Sequence, residues 1–162
     1  MKTRSVGVSD PDRALRETMK RIRPLAICVF RNQERILVAE GYDSVKKQTF
    51  YRPLGGRIEF GEWSYETICR ELMEELGVKV KPESLKYLDT LENIFIFNGI
   101  PGHEIVMVYD GELSSSELYD QAVIIGQEVD MGDSFRATWK SLDEFGVGKS
   151  ILYPTGLREL LE

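Results

Sequence analysis

Cysteine and histidine are scarce in this chain. Its 162 residues contain two cysteines, Cys28 and Cys69, and one histidine, His103. Two cysteines make no disulfide framework, and with one histidine they give no Cys/His metal-ligand spacing. Both lie in apolar contexts and read as small buried residues, which fits a reducing cytoplasm. No apolar run approaches the roughly 20 residues of a membrane-spanning helix. The first residues, MKTRSVGVSDPDRALRETMKR, lack the apolar core of a signal peptide. Internal repeats and low-complexity tracts are also missing.

Basic residues are missing from one long stretch. No Lys or Arg occurs between Lys86 and Arg136. Residues 1–23 instead carry seven Lys or Arg against three Asp or Glu, a net +4, which leaves −10 for the rest of a chain whose total is −6. A broad nucleic-acid surface needs continuous basic charge, so nucleic acid is an unexpected partner. An anionic substrate would have to be held by metal and by basic residues of the first half. Lys46, Lys47, Arg52 and Arg57 are the candidates, with Arg52 and Arg57 preferred because they flank Gly55-Gly56. The basic N-terminal segment suits packing on an acidic neighbour, which leaves a homodimer open.

What is present is the material of one soluble domain: 42% hydrophobic and 30% charged residues in a length that suits a full core. Asp10-Pro11 reads as the start of a basic helix running to about Ile22 and stopping before Pro24. This gives an N-terminal helical extension, 1–22, ahead of a main domain, 23–162. Strands are expected over 25–30, 35–39, 50–54, 78–80, 87–97, 104–113 and 135–140, with Ile58–Phe60 as a possible extension of the sheet. A polar loop or short helix is expected over 114–122. A turn of helix at 142–145 and a last helix at about 155–161 complete the reading. Strands intermixed with two main helices predict an α/β fold with a mixed sheet and helices on both faces.

The most informative stretch is GRIEFGEWSYETICRELMEELGV, residues 56–78. From Glu62 to Leu76 it has neither Gly nor Pro, and Gly77 stands where a helix C-terminal glycine belongs. At 100° per residue, Tyr65, Ile68, Cys69, Leu72 and Leu76 fall within an arc of roughly 100°, a stripe expected to be buried. Glu71 and Glu75 lie one turn apart at the edge of that stripe, and Glu74 lies farther out. Carboxylates stacked this way repel each other, and a hard cation such as Mg²⁺ or Mn²⁺ relieves the repulsion by taking their oxygens as ligands. Arg70 is four residues from both Glu66 and Glu74 and is placed to brace the outer carboxylates. A solvated acidic helix face is the plain alternative to this reading.

As a pattern, the stretch is Gly56, five residues, Glu62, seven residues, then Arg70-Glu71-Leu72-Met73-Glu74-Glu75-Leu76-Gly77-Val78. This resembles the signature of the Nudix hydrolases, with every signature position filled. The resemblance covers about residues 23–150 and implies an α/β/α sandwich. It also implies metal-dependent hydrolysis of a phosphoanhydride in a nucleoside diphosphate linked to another group, with Mg²⁺ or Mn²⁺ as cofactor. By the same resemblance, Glu71 and Glu75 are direct metal ligands, with Glu74 a ligand or close partner. Glu62 and Arg70 orient these carboxylates, Gly56 shapes the loop, and the Gly55 carbonyl is a further ligand. A downstream carboxylate is expected as ligand or general base, in the order Glu128, Asp133, Glu104, with His103 a weaker candidate. Tyr42, Tyr51, Phe95 and Phe97 are candidate stacking residues, although strand aromatics, like Trp63 and Trp139, more often serve the core or its rim. The competing reading is a non-catalytic Nudix-fold nucleotide-binding or regulatory module. The signature names a chemistry and leaves the substrate open.

Overall fold

The computed structural model describes residues 20–128 and 132–162. The expected N-terminal helix therefore falls largely outside the described residues. Its expected end at Ile22 is corrected, because Ile22 already opens the first strand, β1 (Ile22–Asn32).

The next strands are β2 (Arg35–Asp43), β3 (Gln48–Arg52) and β4 (Leu54–Arg57), followed by helix α1 (Ser64–Leu76). Strands β5 (Lys86–Phe97) and β6 (Ile100–Gly111) form a long hairpin. A short helix α2 (Glu117–Asp120), strands β7 (Val123–Gln127), β8 (Ser134–Ser141) and β9 (Ile151–Leu152), and a final helix α3 (Leu157–Leu161) complete the fold.

Strand β1 serves two neighbourhoods. Its first nine residues pair in parallel with β6, and within that span Leu25–Cys28 pair antiparallel with β4. Its last two residues, Arg31 and Asn32, pair with β2. From β2 the sheet continues through β3 to β9 on one side and through β8 to β7 on the other. The result is a mixed sheet split along β1, with a cleft where its two parts diverge.

Alternation along β1 separates two cores. Ala26, Cys28 and Phe30 pack with Ile68 and Leu72 of α1. Ile27 and Val29 pack on the opposite face with Val106, Val108, Phe145 and Leu157 of α3. Helices thus cover both faces, the α/β/α sandwich. The β5–β6 turn is tight: Asn98 (φ 49°) and Gly99 (φ 79°) are both left-handed, the geometry of a two-residue hairpin turn.

Several expected elements differ. Residues 58–60 do not extend the sheet; β4 ends at Arg57 and the chain turns toward α1. Residues 78–80 supply only one bridge, Val80 to Leu113. Strands β7 and β9 were not anticipated, and each exists through a partner distant in sequence. In α1, Tyr65 is exposed and Cys69 is only half-buried, while Thr67 is fully buried in their place.

Candidate active site

Helix α1 begins where the Glu66 carboxylate accepts the backbone N–H of Trp63 at 2.9 Å, which satisfies a donor that the first turn leaves open. It ends at Gly77, in the left-handed conformation (φ 66°), with Val78 N–H reaching back to the Leu72 carbonyl. Glu66 is thus spent on the cap and is not braced by Arg70.

Arg70 is the hub. Its Nε donates to Glu62 Oε1 at 2.8 Å and its Nη2 to Glu62 Oε2 at 3.1 Å, a two-pronged contact. Nη1 donates to Glu71 at 3.0 Å and to Glu74 at 3.1 Å, and Nη2 also reaches the Arg57 carbonyl at 3.0 Å. A rigid fork with five donors is the group that can hold so many acceptors at once. Glu62 receives two further bonds, from Thr67 Oγ1 at 2.7 Å and from the Glu59 amide at 3.1 Å. Arg70 above all, with Thr67 and the amide, holds the Glu62 carboxyl down at about 2. The loop before α1 and the helix itself are thereby tied together.

Glu71 and Glu75 are half-buried, and Glu74 is exposed. Burial raises the Glu71 carboxyl, with Arg70 opposing. Among the described residues, Glu75 has no such guanidinium contact. Burial, then the charge of Glu71, pushes it up to about 8, against a smaller opposing pull from Arg52. A desolvated carboxylate beside a like charge is stable only with a proton or a cation.

Two glycines let the backbone come close. A Cβ on Gly55 (φ 147°) would stand 2.1 Å from the Ala26 carbonyl oxygen, and one on Gly56 would stand 2.2 Å from Glu71 Oε1. The Gly55-Gly56 strand therefore lies flat between β1 and the Glu71 carboxylate.

These groups line a cleft of about 990 Å³ together with Arg23, Arg52, Arg57, Glu104 and Glu128. A second hollow of about 540 Å³ continues from it and shares Arg23, Arg52, Gly55, Glu75, Asn93, Glu104, Glu128 and Tyr153. Three rings on its walls lie over a glycine of the paired strand. Added Cβ atoms on Gly41, Gly102 and Gly126 would meet Phe50, Phe95 and Phe135 at 2.4, 2.3 and 2.2 Å. Phe50 also meets Phe97 and Tyr153 edge-on. The cleft thus has an acidic half beside α1 and an aromatic half beside the β5–β6 turn.

A family model for the Nudix domain matches residues 19–159. The chain belongs to the Nudix hydrolase family. Solved structures agree on the fold. A MutT Nudix hydrolase from Burkholderia pseudomallei superposes with a TM-score of 0.60 at 19% identity, covering 88% of this chain and 97% of that one. A Nudix hydrolase from Nitrosomonas europaea gives 0.59 at 16% identity, covering 87% and 86%. The mutator MutT protein from Bacillus halodurans gives 0.56 at 18%, covering 86% and 79%.

Within this Nudix domain the box residues Glu62, Arg70, Glu71, Glu74 and Glu75 meet on one wall of the cleft. Arg52 lies 3.5 Å from Glu128, and Arg57 lies 4.0 Å from Glu59 with its side chain largely exposed. Asp133 reaches only the aromatic half, and Glu104 lines both halves. His103 lies on the other side of β6 from Glu104, paired with Glu92 at 2.7 Å, and lines neither hollow. Lys46 lines the aromatic half but is tied to the Ile96 carbonyl and to Asp43. Lys47 lines neither half. Of the candidate aromatics, Phe95 and Phe97 line the cleft, while Tyr51 packs on Phe145 on the far face and Tyr42 is exposed. Trp139 is buried against Tyr119, whereas Trp63 is exposed. Arg23, Asn93 and Tyr153 were not among the expected site residues. Each reaches the cleft through strand pairing or the C-terminal turn.

Among the described residues, no three acidic, cysteine or histidine side chains converge as tightly as ligands around one ion. Glu71 and Glu74 are drawn to Arg70, and Glu75 stays apart. The donor chemistry nevertheless suits a hard divalent cation: all the acceptors are oxygen, and Glu75 is a desolvated carboxyl beside a like charge.

Proposed function

We propose that this protein hydrolyses a phosphoanhydride bond in a nucleoside diphosphate linked to another group, with Mg²⁺ or Mn²⁺ as cofactor. One observation carries the reading: Glu75 is half-buried beside Glu71 on the cleft wall, and among the described residues no guanidinium contacts it. A fold that needed only stability would gain nothing from this arrangement.

Glu71 and Glu75, with Glu74 and the Gly55 carbonyl, would hold the ion. Bound there, it would neutralise phosphoryl charge and lower the pKa of water. Arg70 and Glu62 keep the carboxylates in place, Arg52 and Arg57 meet the phosphates, and Glu128 takes the proton of the attacking water. The aromatic half is lined by Phe50, Phe95, Phe97 and Tyr153, which suits a planar group such as a nucleobase. The Arg52–Glu128 pair supports this assignment, since phosphate binding by Arg52 would free the Glu128 carboxylate.

A non-catalytic module remains the second reading. Such a module has no need of the acidic residues, yet every box carboxylate is present here. The test is a substrate panel of nucleoside triphosphates, dinucleotides and nucleotide sugars, with and without Mg²⁺, with products identified. Metal-dependent release of phosphate or a mononucleotide is expected, and tight binding without turnover across the panel would support the module instead. No helix among the described residues is long and apolar enough to cross a membrane. The two free thiols, Cys28 and Cys69, suit a reducing cytoplasm.

A further inference from the structure

Among the described residues, four arginines reach the acidic half of the cleft, and they are held very differently. Arg70 is consumed by Glu62, Glu71 and Glu74. Arg57 is largely exposed at the mouth, and Arg52 faces a half-buried carboxylate, Glu128, at 3.5 Å. Arg23 is different. Its Nη2 donates to Glu104 Oε1 at 2.5 Å; the Arg23 side chain is half exposed, and the Glu104 side chain is only 11% exposed.

Glu104 is held from its other oxygen as well, by Asn93 Nδ2 at 3.4 Å. Asn93 is buried, and its Oδ1 accepts the backbone N–H and the hydroxyl of Thr155, each at 3.2 Å. Thr155, Asn93, Glu104 and Arg23 thus form a chain of hydrogen bonds from the C-terminal turn to the cleft. Arg23 and Glu104 are direct neighbours in the β1–β6 register, as Glu104 and Asn93 are between β6 and β5, so the backbone itself sets their spacing.

A buried carboxylate without its cation is strongly unfavourable. Glu104 therefore retains Arg23 whether or not a ligand is present. Glu104 takes one guanidinium contact, and the exposed remainder of the group keeps donors for an anion. Glu104 itself has its oxygens occupied and is poorly placed to abstract a proton.

We infer that Arg23 is a preorganised phosphate-binding residue of the cleft and that Glu104 is its positioning residue, not a metal ligand or a general base. The substrate this implies is a polyanion whose phosphates extend from the box carboxylates toward β1. The inference rests on the hydrolase reading for its place in a reaction, but the anion site itself does not require turnover.

The test separates the two. Inorganic pyrophosphate is titrated into the full-length protein in EDTA by calorimetry, which reads the anion site without metal or chemistry. Arg23→Gln is expected to weaken binding at least tenfold, and Arg23→Lys less. Arg31→Gln, which removes the same charge from a pair with Asp110 outside the cleft, is expected to bind as wild type. Glu104→Gln keeps the side-chain shape and is expected to weaken binding several-fold. In turnover it is expected to raise KM while kcat and Mg²⁺ affinity change little. Wild-type binding by Arg23→Gln, or no pyrophosphate binding by the wild type at millimolar concentration, would overturn the assignment. So would a Glu104→Gln variant that loses kcat and metal affinity with KM unchanged. If Glu104→Gln does not fold, the Arg23 titrations decide alone. A protein that binds pyrophosphate through Arg23 but hydrolyses nothing would keep this site and reject the enzyme.

Discussion

The Glu71 carboxylate lies directly over the α-carbon of Gly56, so close that a Cβ there would sit 2.2 Å from Oε1. The glycine is required by the position of the acid, because Arg70 holds the same oxygen at 3.0 Å from the other side. Gly56→Ala is expected to displace Glu71 and lower kcat at least tenfold. The clash falls on the end of a side chain and not on backbone, so the melting temperature should fall by no more than a few degrees. Activity and thermal melts on the same preparation check this. A fully active Ala variant would mean Glu71 can occupy another position without loss.

Glu71→Gln and Glu75→Gln are each expected to lower kcat by two orders of magnitude or more at saturating Mg²⁺ while keeping the fold. Above pH 8 both carboxyls are charged, and Glu75→Gln then removes one of two repelling charges, so its metal-free form should melt no lower than the wild type there. Millimolar Mg²⁺ should raise the melting temperature of the wild type by mass action and do so much less for Glu75→Gln. Equal shifts in both proteins would place the metal elsewhere.

Acidity gives opposite signs at two box residues. Glu62 is lowered to about 2 from an ordinary 4.5, so its contribution to stability is present above pH 4.5 and is lost as pH falls toward 2. Glu75 is raised to about 8 from the same value, so its contribution is present below pH 4.5 and is lost as pH rises toward 8. In EDTA, the melting temperature of Glu75→Gln should therefore decline less between pH 4.5 and 8 than that of the wild type. Mg²⁺ binding near pH 7 should release about one proton, since the ligand must be deprotonated. Calorimetry in two buffers of different ionisation enthalpy measures that number, and a value near zero would remove Glu75 from the ligand set.

Arg70→Lys keeps the charge and removes the fork. Lysine cannot hold Glu62 two-pronged and also reach Glu71, Glu74 and the Arg57 carbonyl. We expect a stability loss of about 1–3 kcal/mol, typical of broken charge-assisted hydrogen bonds, together with weaker Mg²⁺ binding. Denaturant melts and metal titrations check both, and wild-type values would show that the hub is dispensable.

Among the downstream carboxylates, Glu128→Gln is expected to cost kcat with metal affinity nearly unchanged, and Asp133→Asn to cost little. Glu128 acts on Glu75 electrostatically in the same cleft, whereas Asp133 reaches only the aromatic half. A fully active Glu128→Gln would move the base elsewhere.

The helix at 64–76 was legible because its information is local. Absence of Gly and Pro, a 3.6-residue apolar period and a terminal glycine are all properties of neighbouring residues. The same wheel misplaced Tyr65 and overlooked Thr67. Burial depends on how far the opposing sheet extends, and a helix pattern does not contain that distance. Thr67 tolerates full burial because its hydroxyl is satisfied by Glu62. Strands β7 and β9 were missed for a related reason: each is short, and each is made a strand by its ladder to β8 or β3.

The signature from Gly56 to Val78 by itself pointed to the family and, by resemblance, to its fold, and helical periodicity set Arg70, Glu71, Glu74 and Glu75 along one side of α1 to form the acidic wall of the cleft. The opposite wall was decided only by tertiary structure. Arg23 and Glu104 are 81 residues apart in sequence and meet through the parallel pairing of β1 and β6. Arg52 meets Glu128 from a different strand. Contacts across such separations follow from register and chain path, which no local pattern encodes.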